Sequence, residues 1–197
     1  SDELIEVMGA KENVLPSLHL PLQAGADRIL QLMNRKYTIA HYKDRVARLR
    51  QAVPDVALTT DIICGFPGET DEEFAQTLAA VADIRYSSAF MFYYQTRPGT
   101  KAEAFEGMLP IEERKARLRR LIDLQQKISK EVNQSYLDKE ISVLVEQTSR
   151  RDKSVLAGRT AHDKTILFAG GTELVGRRVK VRCKKADAWT LHGDLVS

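Results

Sequence analysis

The sequence predicts an α/β unit followed by an all-β unit, and three observations carry that reading. In the first half, short apolar segments with strand periodicity alternate with segments of helical periodicity. Between residues 110 and 136 runs one long amphipathic segment that opens on a proline. Beyond it, five short β-rich segments are punctuated by Gly158, Gly170, Gly171, Gly176 and Gly193. Strand, helix, strand, helix, strand in succession implies parallel strands joined by right-handed crossovers. Short, closely spaced strands with glycine turns imply a small antiparallel barrel.

Taken in order, Leu4, Ile5, Val7 and Met8 read as the tail of a helix with no strand before it, so the N-terminus is expected to be a cut edge. Residues 17–23 form a strand with Leu18, Leu20 and Leu22 on one face and His19, Pro21 and Gln23 on the other. Residues 27–33 form a short helix. Thr38 caps the next helix, with Tyr42, Val46, Leu49 and Val53 as its apolar stripe and Pro54 as its end. Residues 56–66 are a strand, turned by Gly65-Phe66-Pro67-Gly68. Thr70-Asp71-Glu72-Glu73 is a capping box opening a helix with Phe74, Leu78 and Val81 inside. A third strand, 88–96, closes on Arg97-Pro98-Gly99-Thr100. Three strands are too few to close a barrel, which leaves a small open sheet or half of something larger.

Pro110 sits in the first turn of the long helix, where Glu112 and Glu113 favour its dipole. Leu118, Leu121, Ile122, Ile128 and Val132 form its apolar side. The opposite side, with Arg114, Lys115, Arg117, Arg119 and Arg120, reads as a solvated face with i,i+4 pairs. The later strands fall at 141–146, 155–160, 165–168, 177–183 and 189–196. The expected division is 1–109 for the α/β unit, 110–137 for the connecting helix and 138–197 for the barrel.

The 43% hydrophobic share of the 197 residues is that of an ordinary globular chain. No apolar run approaches the roughly 20 residues that span a bilayer, and the N-terminus lacks the secretory pattern, so the default location is cytoplasmic. Cys64 and Cys183 make neither a disulfide framework nor a CxxC site and read as buried thiols. The net charge of +3 is uneven. From residue 138 onward twelve Lys and Arg face eight Asp and Glu, while the rest is close to neutral. A basic C-terminal unit points to a polyanion partner.

Ligands of parallel α/β folds collect at the C-terminal ends of strands. Gln23 ends one strand there, and Asp61 shares a face with Ile63 and Gly65 on the next. A mid-strand carboxylate is costly to bury without donors, and either ribose hydroxyls or backbone and Arg groups would serve Asp61. His19 is expected to be a hydrogen-bonded core histidine, with His41, His162 and His192 in surface or turn positions. The sequence contains no GxxxxGK[ST], HExxH, CxxC or Ser-His-Asp pattern, and it assigns no catalytic and no metal-ligating residue.

Four linked segments then carry a resemblance. They are His19-Leu20-Pro21-Leu22-Gln23-Ala24-Gly25-Ala26-Asp27, Leu32-Met33-Asn34-Arg35-Lys36-Tyr37-Thr38, Thr60-Asp61-Ile62-Ile63-Cys64-Gly65-Phe66-Pro67-Gly68-Glu69-Thr70, and Tyr94 with Arg97-Pro98-Gly99-Thr100. In this order they resemble the radical S-adenosylmethionine (SAM) methylthiotransferases, and Arg97 fits the tRNA-modifying, MiaB-type branch. The third segment also fits the family's G-x-I-x-G-x-x-E motif through Ile63, Gly65 and Glu69, without the leading glycine. Val143-Leu144-Val145-Glu146, Gly158-Arg159-Thr160 and the stretch from Gly176 resemble the TRAM domain, an RNA-binding barrel. Ala24 and Ala26 stand where the family often has serine, and Lys139 where it often has glycine.

The resemblance implies the C-terminal half of a partial (β/α) radical-SAM barrel followed by a TRAM β-barrel. It implies SAM as cofactor, with Gln23 and Asp61 toward its ribose, Arg35 toward its carboxylate, and Gly65 and Glu69 in the same pocket. A guanidinium suits a carboxylate because it reaches both oxygens. The family also uses [4Fe–4S] clusters, each needing three or four thiolates. This sequence has two cysteines and no CxxxCxxC, so it is expected to hold no cluster and to be inactive alone, its partners being tRNA and the missing N-terminal domains. The implied reaction adds a methylthio group at C2 of a modified adenosine next to the anticodon, one SAM giving a 5′-deoxyadenosyl radical and another the methyl group. RNA is expected to meet some of Arg150, Arg151, Arg159, Lys164, Arg177, Arg178, Lys180 and Arg182. Phe168 and Trp189 are the candidate stacking aromatics, at least one of them expected in the core. The rival readings are an RNA-binding module without catalysis and a ribosomal-protein methylthiotransferase. A mere spacer would have no need of Gln23, Arg35 and Asp61 at strand ends.

Overall fold

The computed structural model describes residues 1–149, 152 and 154–196. The chain starts with helix α1 (Asp2–Ala10), then β1 (Ser17–His19), α2 (Asp27–Leu32), α3 (Ile39–Ala52), β2 (Ala57–Cys64), α4 (Asp71–Ile84), β3 (Ser88–Tyr93) and α5 (Ile111–Gln134). Five strands follow: β4 (Glu140–Thr148), β5 (Val155–Thr160), β6 (Thr165–Ala169), β7 (Arg178–Ala186) and β8 (Leu191–Leu195).

The three-stranded sheet has the order β1-β2-β3 and is parallel throughout. Its two crossovers are the helical segments the sequence predicts, and their starts follow local chemistry. Thr38 accepts from the His41 N–H, and Thr70 with Glu73 forms the reciprocal capping box. The even positions of β2 (Leu58, Thr60, Ile62 and Cys64) are buried, while Thr59, Asp61 and Ile63 stay partly open. The main core lies on the buried side. There Leu22, Leu58, Ile62, Val81, Tyr86, Leu121 and Ile128 pack with the stripe Tyr42, Val46 and Leu49. Tyr86 donates to the Tyr42 hydroxyl at 2.9 Å, which satisfies a fully buried phenol. Gly25 is needed where the chain crosses α4, because a Cβ there would stand 2.3 Å from Thr77 Cα. The other face of the sheet is open and exposes Phe90 and Phe92.

α5 differs from its expected amphipathicity. Its buried stripe is Arg117, Leu121, Gln125, Ile128, Ser129 and Asn133, so polar residues take much of the inner face. Each finds a backbone acceptor. Gln125 donates to Tyr86 O at 2.9 Å, Ser129 to Ser87 O at 3.2 Å and Asn133 to Asp187 O at 2.8 Å. A buried polar group with a partner costs little, and these bonds tie β3 and the barrel to one helix.

The second unit is a closed barrel with the order β4-β5-β6-β8-β7, sealed by β4 against β7. It is antiparallel except for one pairing, because β6 and β8 run parallel. Val143, Val145, Leu156, Ile166, Phe168, Val181, Cys183 and Leu191 fill it. The barrel meets the α/β unit through His162 Nε2, 2.9 Å from Asp55, and through Lys164 Nζ, which donates to Ser87 O at 3.0 Å. Among the described residues no helix is long and apolar enough to cross a membrane.

Candidate functional site

The parallel strands end at one rim, and Gln23 stands there just beyond β1. Its N–H donates to Asp61 O at 2.8 Å and its carbonyl accepts from Ile63 N at 2.9 Å, so its backbone is paired to β2 like a strand residue. Yet its φ is +69°, the left-handed region that L side chains avoid. The residue is 6% exposed. A strained, well-held residue at a strand end is a recurrent feature of ligand sites.

Gln23 and Arg35 line one cavity of about 610 Å³, together with Met33, Ile63, Phe66 and Phe105. α2 brings Arg35 there. Asn34 takes a left-handed φ of +57°, and the Arg35 N–H turns back to Leu30 O at 2.8 Å. Among the described residues the Arg35 guanidinium forms no ion pair, so its charge stays available. The cavity therefore combines two cations, Arg35 and Lys101, three side-chain amides, Gln23, Gln31 and Asn34, and an apolar wall, the usual make-up of a small-molecule site.

Asp61 lies on the same face of the sheet but not on the wall of that cavity. Its carboxylate is 3.3 Å from His19 Nε2, and His19 Nδ1 is 2.9 Å from Thr59 Oγ1. His19 is hydrogen-bonded as expected but is not a core residue, since its side chain is 43% exposed on the open face, edge-on to Phe90. β1 ends there.

Gly65 and Glu69 form a different device. Glu69 is buried and accepts from the Gly65 N–H at 2.6 Å, closing the turn after β2. Gly65 has a φ of +68°, and a Cβ there would meet Arg114 Cγ at 2.6 Å. Arg117 holds Glu69 from α5 through Nη1 at 2.8 Å and reaches Asp71 at 2.8 Å and Glu113 at 3.0 Å with Nη2. Burial pushes the Glu69 carboxyl upward, while Arg117 and the Gly65 N–H pull the other way. Glu69 thus faces the protein interior, not the cavity.

Arg117 corrects the reading of α5 as solvated on its basic side: it is 3% exposed and lies over the Phe74 ring. Arg114 is half-buried and donates to Tyr94 O and Leu109 O. Sequence reasoning missed both. The signal available was that Arg117 extends the Leu121–Gln125 line by one helical turn.

Cys64 packs against the carbonyls of Phe92 and Arg114, and burial pushes its thiol up to about 12. That favours the thiol over the thiolate that metals bind. Among the described residues no group of three His, Cys, Asp or Glu side chains converges as metal ligands do.

On the barrel, Arg178, Lys180 and Arg182 alternate outward along β7 while Val181 and Cys183 point in. Arg182 is paired with Glu140 at 2.5 Å. Arg178 and Lys180 have no ion-pair partner among the described residues. Arg159 is exposed beside Asp163 and Glu146, at 3.1 and 3.6 Å. Lys164 corrects its assignment to an RNA face. It is 7% exposed, and burial pushes its amine down to about 8. Arg150 and Arg151 lie outside the described residues. Phe168 is in the core, and Trp189 is 65% exposed.

A model of the radical SAM superfamily matches residues 2–81, and a model of the TRAM domain matches residues 134–196. The chain is 45% identical to the tRNA-2-methylthio-N(6)-dimethylallyladenosine synthase of Acetivibrio thermocellus, over 100% of this chain and 41% of that protein. It is 45% identical to the protein of the same name from Moorella thermoacetica, over 98% of this chain and 44% of that one. The chain therefore spans less than half the length of these curated relatives. Among solved structures it is similar to coproporphyrinogen III oxidase (HemN) from Escherichia coli, titled a radical SAM enzyme, with a TM-score of 0.53 over 82% of this chain and 44% of that one. At 15% identity that likeness speaks for the fold. Residues 2–81 thus match the radical SAM superfamily, residues 134–196 match the TRAM domain, and the whole chain is similar to proteins named tRNA-2-methylthio-N(6)-dimethylallyladenosine synthase.

Proposed function

We propose that the chain is the part of a cytoplasmic tRNA methylthiotransferase that holds SAM at the strand ends of 1–109 and grips tRNA with the barrel of 138–197, with the helix of 110–137 joining them. The observation that carries this reading is the cavity shared by Gln23 and Arg35, in a chain that aligns end to end with proteins named for that chemistry.

The residues suit SAM. Arg35 supplies a cation for the amino-acid carboxylate, and the Gln23 amide can donate to or accept from a ribose hydroxyl. Ile63, Phe66 and Phe105 would give the bound cofactor an apolar wall. Asp61, 3.3 Å from His19 on the same sheet face but outside the cavity wall, is the neighbouring carboxylate that would accept from a ribose hydroxyl. Glu69 and Arg117 act indirectly by holding the Gly65 turn. SAM when bound supplies the radical and the methyl group; this chain supplies position.

The residues do not suit an iron–sulfur cluster. A cluster needs three or four thiolates, and Cys64 and Cys183 are both buried, one in each unit. No step is assigned to a cluster held by this chain.

The reading is tested by mass spectrometry of tRNA nucleosides after deletion of the gene that encodes the chain. Loss of 2-methylthio adenosines is expected, and restoration by the wild-type gene but not by an Arg35→Ala version. Unchanged nucleosides would sink the proposal.

A further inference from the structure

Trp189 is the only tryptophan of the chain and the most exposed of its large hydrophobic side chains among the described residues. It sits in the turn between β7 and β8, and that turn is pinned. Asp187 Oδ1 accepts from the N–H groups of Trp189 and Thr190, both at 2.7 Å. Asp187 N donates to Thr190 O at 3.1 Å. Asp187 O accepts from Asn133, which is 1% exposed on α5. Leu191, two residues after Trp189, is fully buried in the barrel. The indole is thus displayed from a rigid support, and among the described residues no ring or cation packs on either of its faces.

β7 leads directly into this turn. Its outward cations Arg178, Lys180 and Arg182 repeat at every second residue as far as a bulge between Cys183 and Lys185, about 6.5–7 Å apart, about twice the 3.4 Å axial phosphate step of one strand. Arg178 and Lys180 stand at one end of the row. Lys185, exposed and without an ion pair among the described residues, stands beside the turn at the other. β7 ends at Ala186, and Asp187 and Ala188 alone separate it from Trp189, so the cations and the indole belong to one hairpin. An aromatic face accepts any base by stacking.

We infer that Trp189 is a stacking platform for one unpaired nucleobase of the bound RNA. The inference rests on the reading of the barrel as an RNA grip and adds a base contact to what is otherwise a purely electrostatic surface.

The single tryptophan is its own reporter. The chain is titrated with a single-stranded oligoribonucleotide and with an abasic oligomer of equal charge, following indole fluorescence and, separately, affinity. The base-bearing strand should quench the indole saturably, and the abasic strand should bind more weakly without quenching. Trp189→Ala should weaken oligoribonucleotide binding about tenfold, the low end of measured base-stacking effects, with an unchanged salt slope. Trp189→Phe should recover most of that loss. Circular dichroism should show both variants folded. Equal binding by wild type and Trp189→Ala, or equal quenching by both oligomers, would overturn the platform while leaving the electrostatic grip standing. If the wild type binds neither oligomer at any salt concentration, the RNA reading fails and the platform with it.

Discussion

Arg117 Nη1 and Glu69 Oε2 lie 2.8 Å apart with 4% and 0% of their side chains exposed, and this pair joins the last helix of the α/β unit to the turn after its central strand. Removing one partner of a buried pair leaves the other charge without compensation. Arg117→Met should therefore destabilise the chain by about 3–5 kcal/mol. Urea unfolding measures it. A loss below about 1 kcal/mol would mean that the guanidinium is less engaged than its geometry indicates. Glu69→Gln keeps an acceptor for the Gly65 N–H and should cost less than Arg117→Met.

Lys164 provides a pH signature. Its amine is pushed down to about 8 from an ordinary 10.5, because burial disfavours the charged form. Between those values the unfolded chain binds more protons than the folded one, so this group makes stability rise with pH across that window. The rise should be about 3 kcal/mol across the window. Lys164→Met should abolish it and be more stable than wild type near pH 7, relative to its own value at pH 10. Parallel stability–pH curves for the two proteins would contradict the assignment.

Much of the fold is legible in the sequence. Thr38, the Thr70–Glu73 box and the apolar periods of α3 and α4 are local signals, and local signals fix where elements begin. β6 running parallel to β8 was not legible, because strand pairing across a barrel depends on connections far apart in sequence. The same holds at the site. Gln23 and Arg35 could be named from motifs, whereas the burial of Arg117 depends on Glu69, 48 residues earlier in the chain. Lys164 reads like any surface lysine of a basic unit, but Ser87, just before β3, supplies its carbonyl as the acceptor. Helical charge is read as solvated by default, and only tertiary neighbours reverse that reading.

The proposed grip of the barrel on RNA should be salt-sensitive through Arg178 and Lys180. Each phosphate contact contributes about 0.7 to the slope of log affinity against log salt for a single strand. Arg178→Ala with Lys180→Ala should flatten that slope by roughly 1.4 and weaken binding at low salt. Lys164→Met, inside the junction, should leave the slope alone. If the double variant matches wild type in both affinity and slope, β7 is not the RNA face.

Gln23 sets stability against function. Its φ of +69° costs a non-glycine residue roughly 1 kcal/mol, and its backbone pairing to Asp61 and Ile63 keeps it there. Glycine adopts that φ freely and preserves both backbone hydrogen bonds. Gln23→Gly should then be as stable as wild type or more stable by up to about 1 kcal/mol, since relief of strain opposes the loss of a buried side chain. The same change removes the amide proposed to meet the ribose. The SAM concentration for half-saturation, read by equilibrium dialysis, should rise about tenfold, the scale of one or two lost hydrogen bonds. A residue retained for packing predicts the reverse, a loss of stability with unchanged SAM dependence. The two measurements together separate a strained ligand-binding residue from a filler of the core.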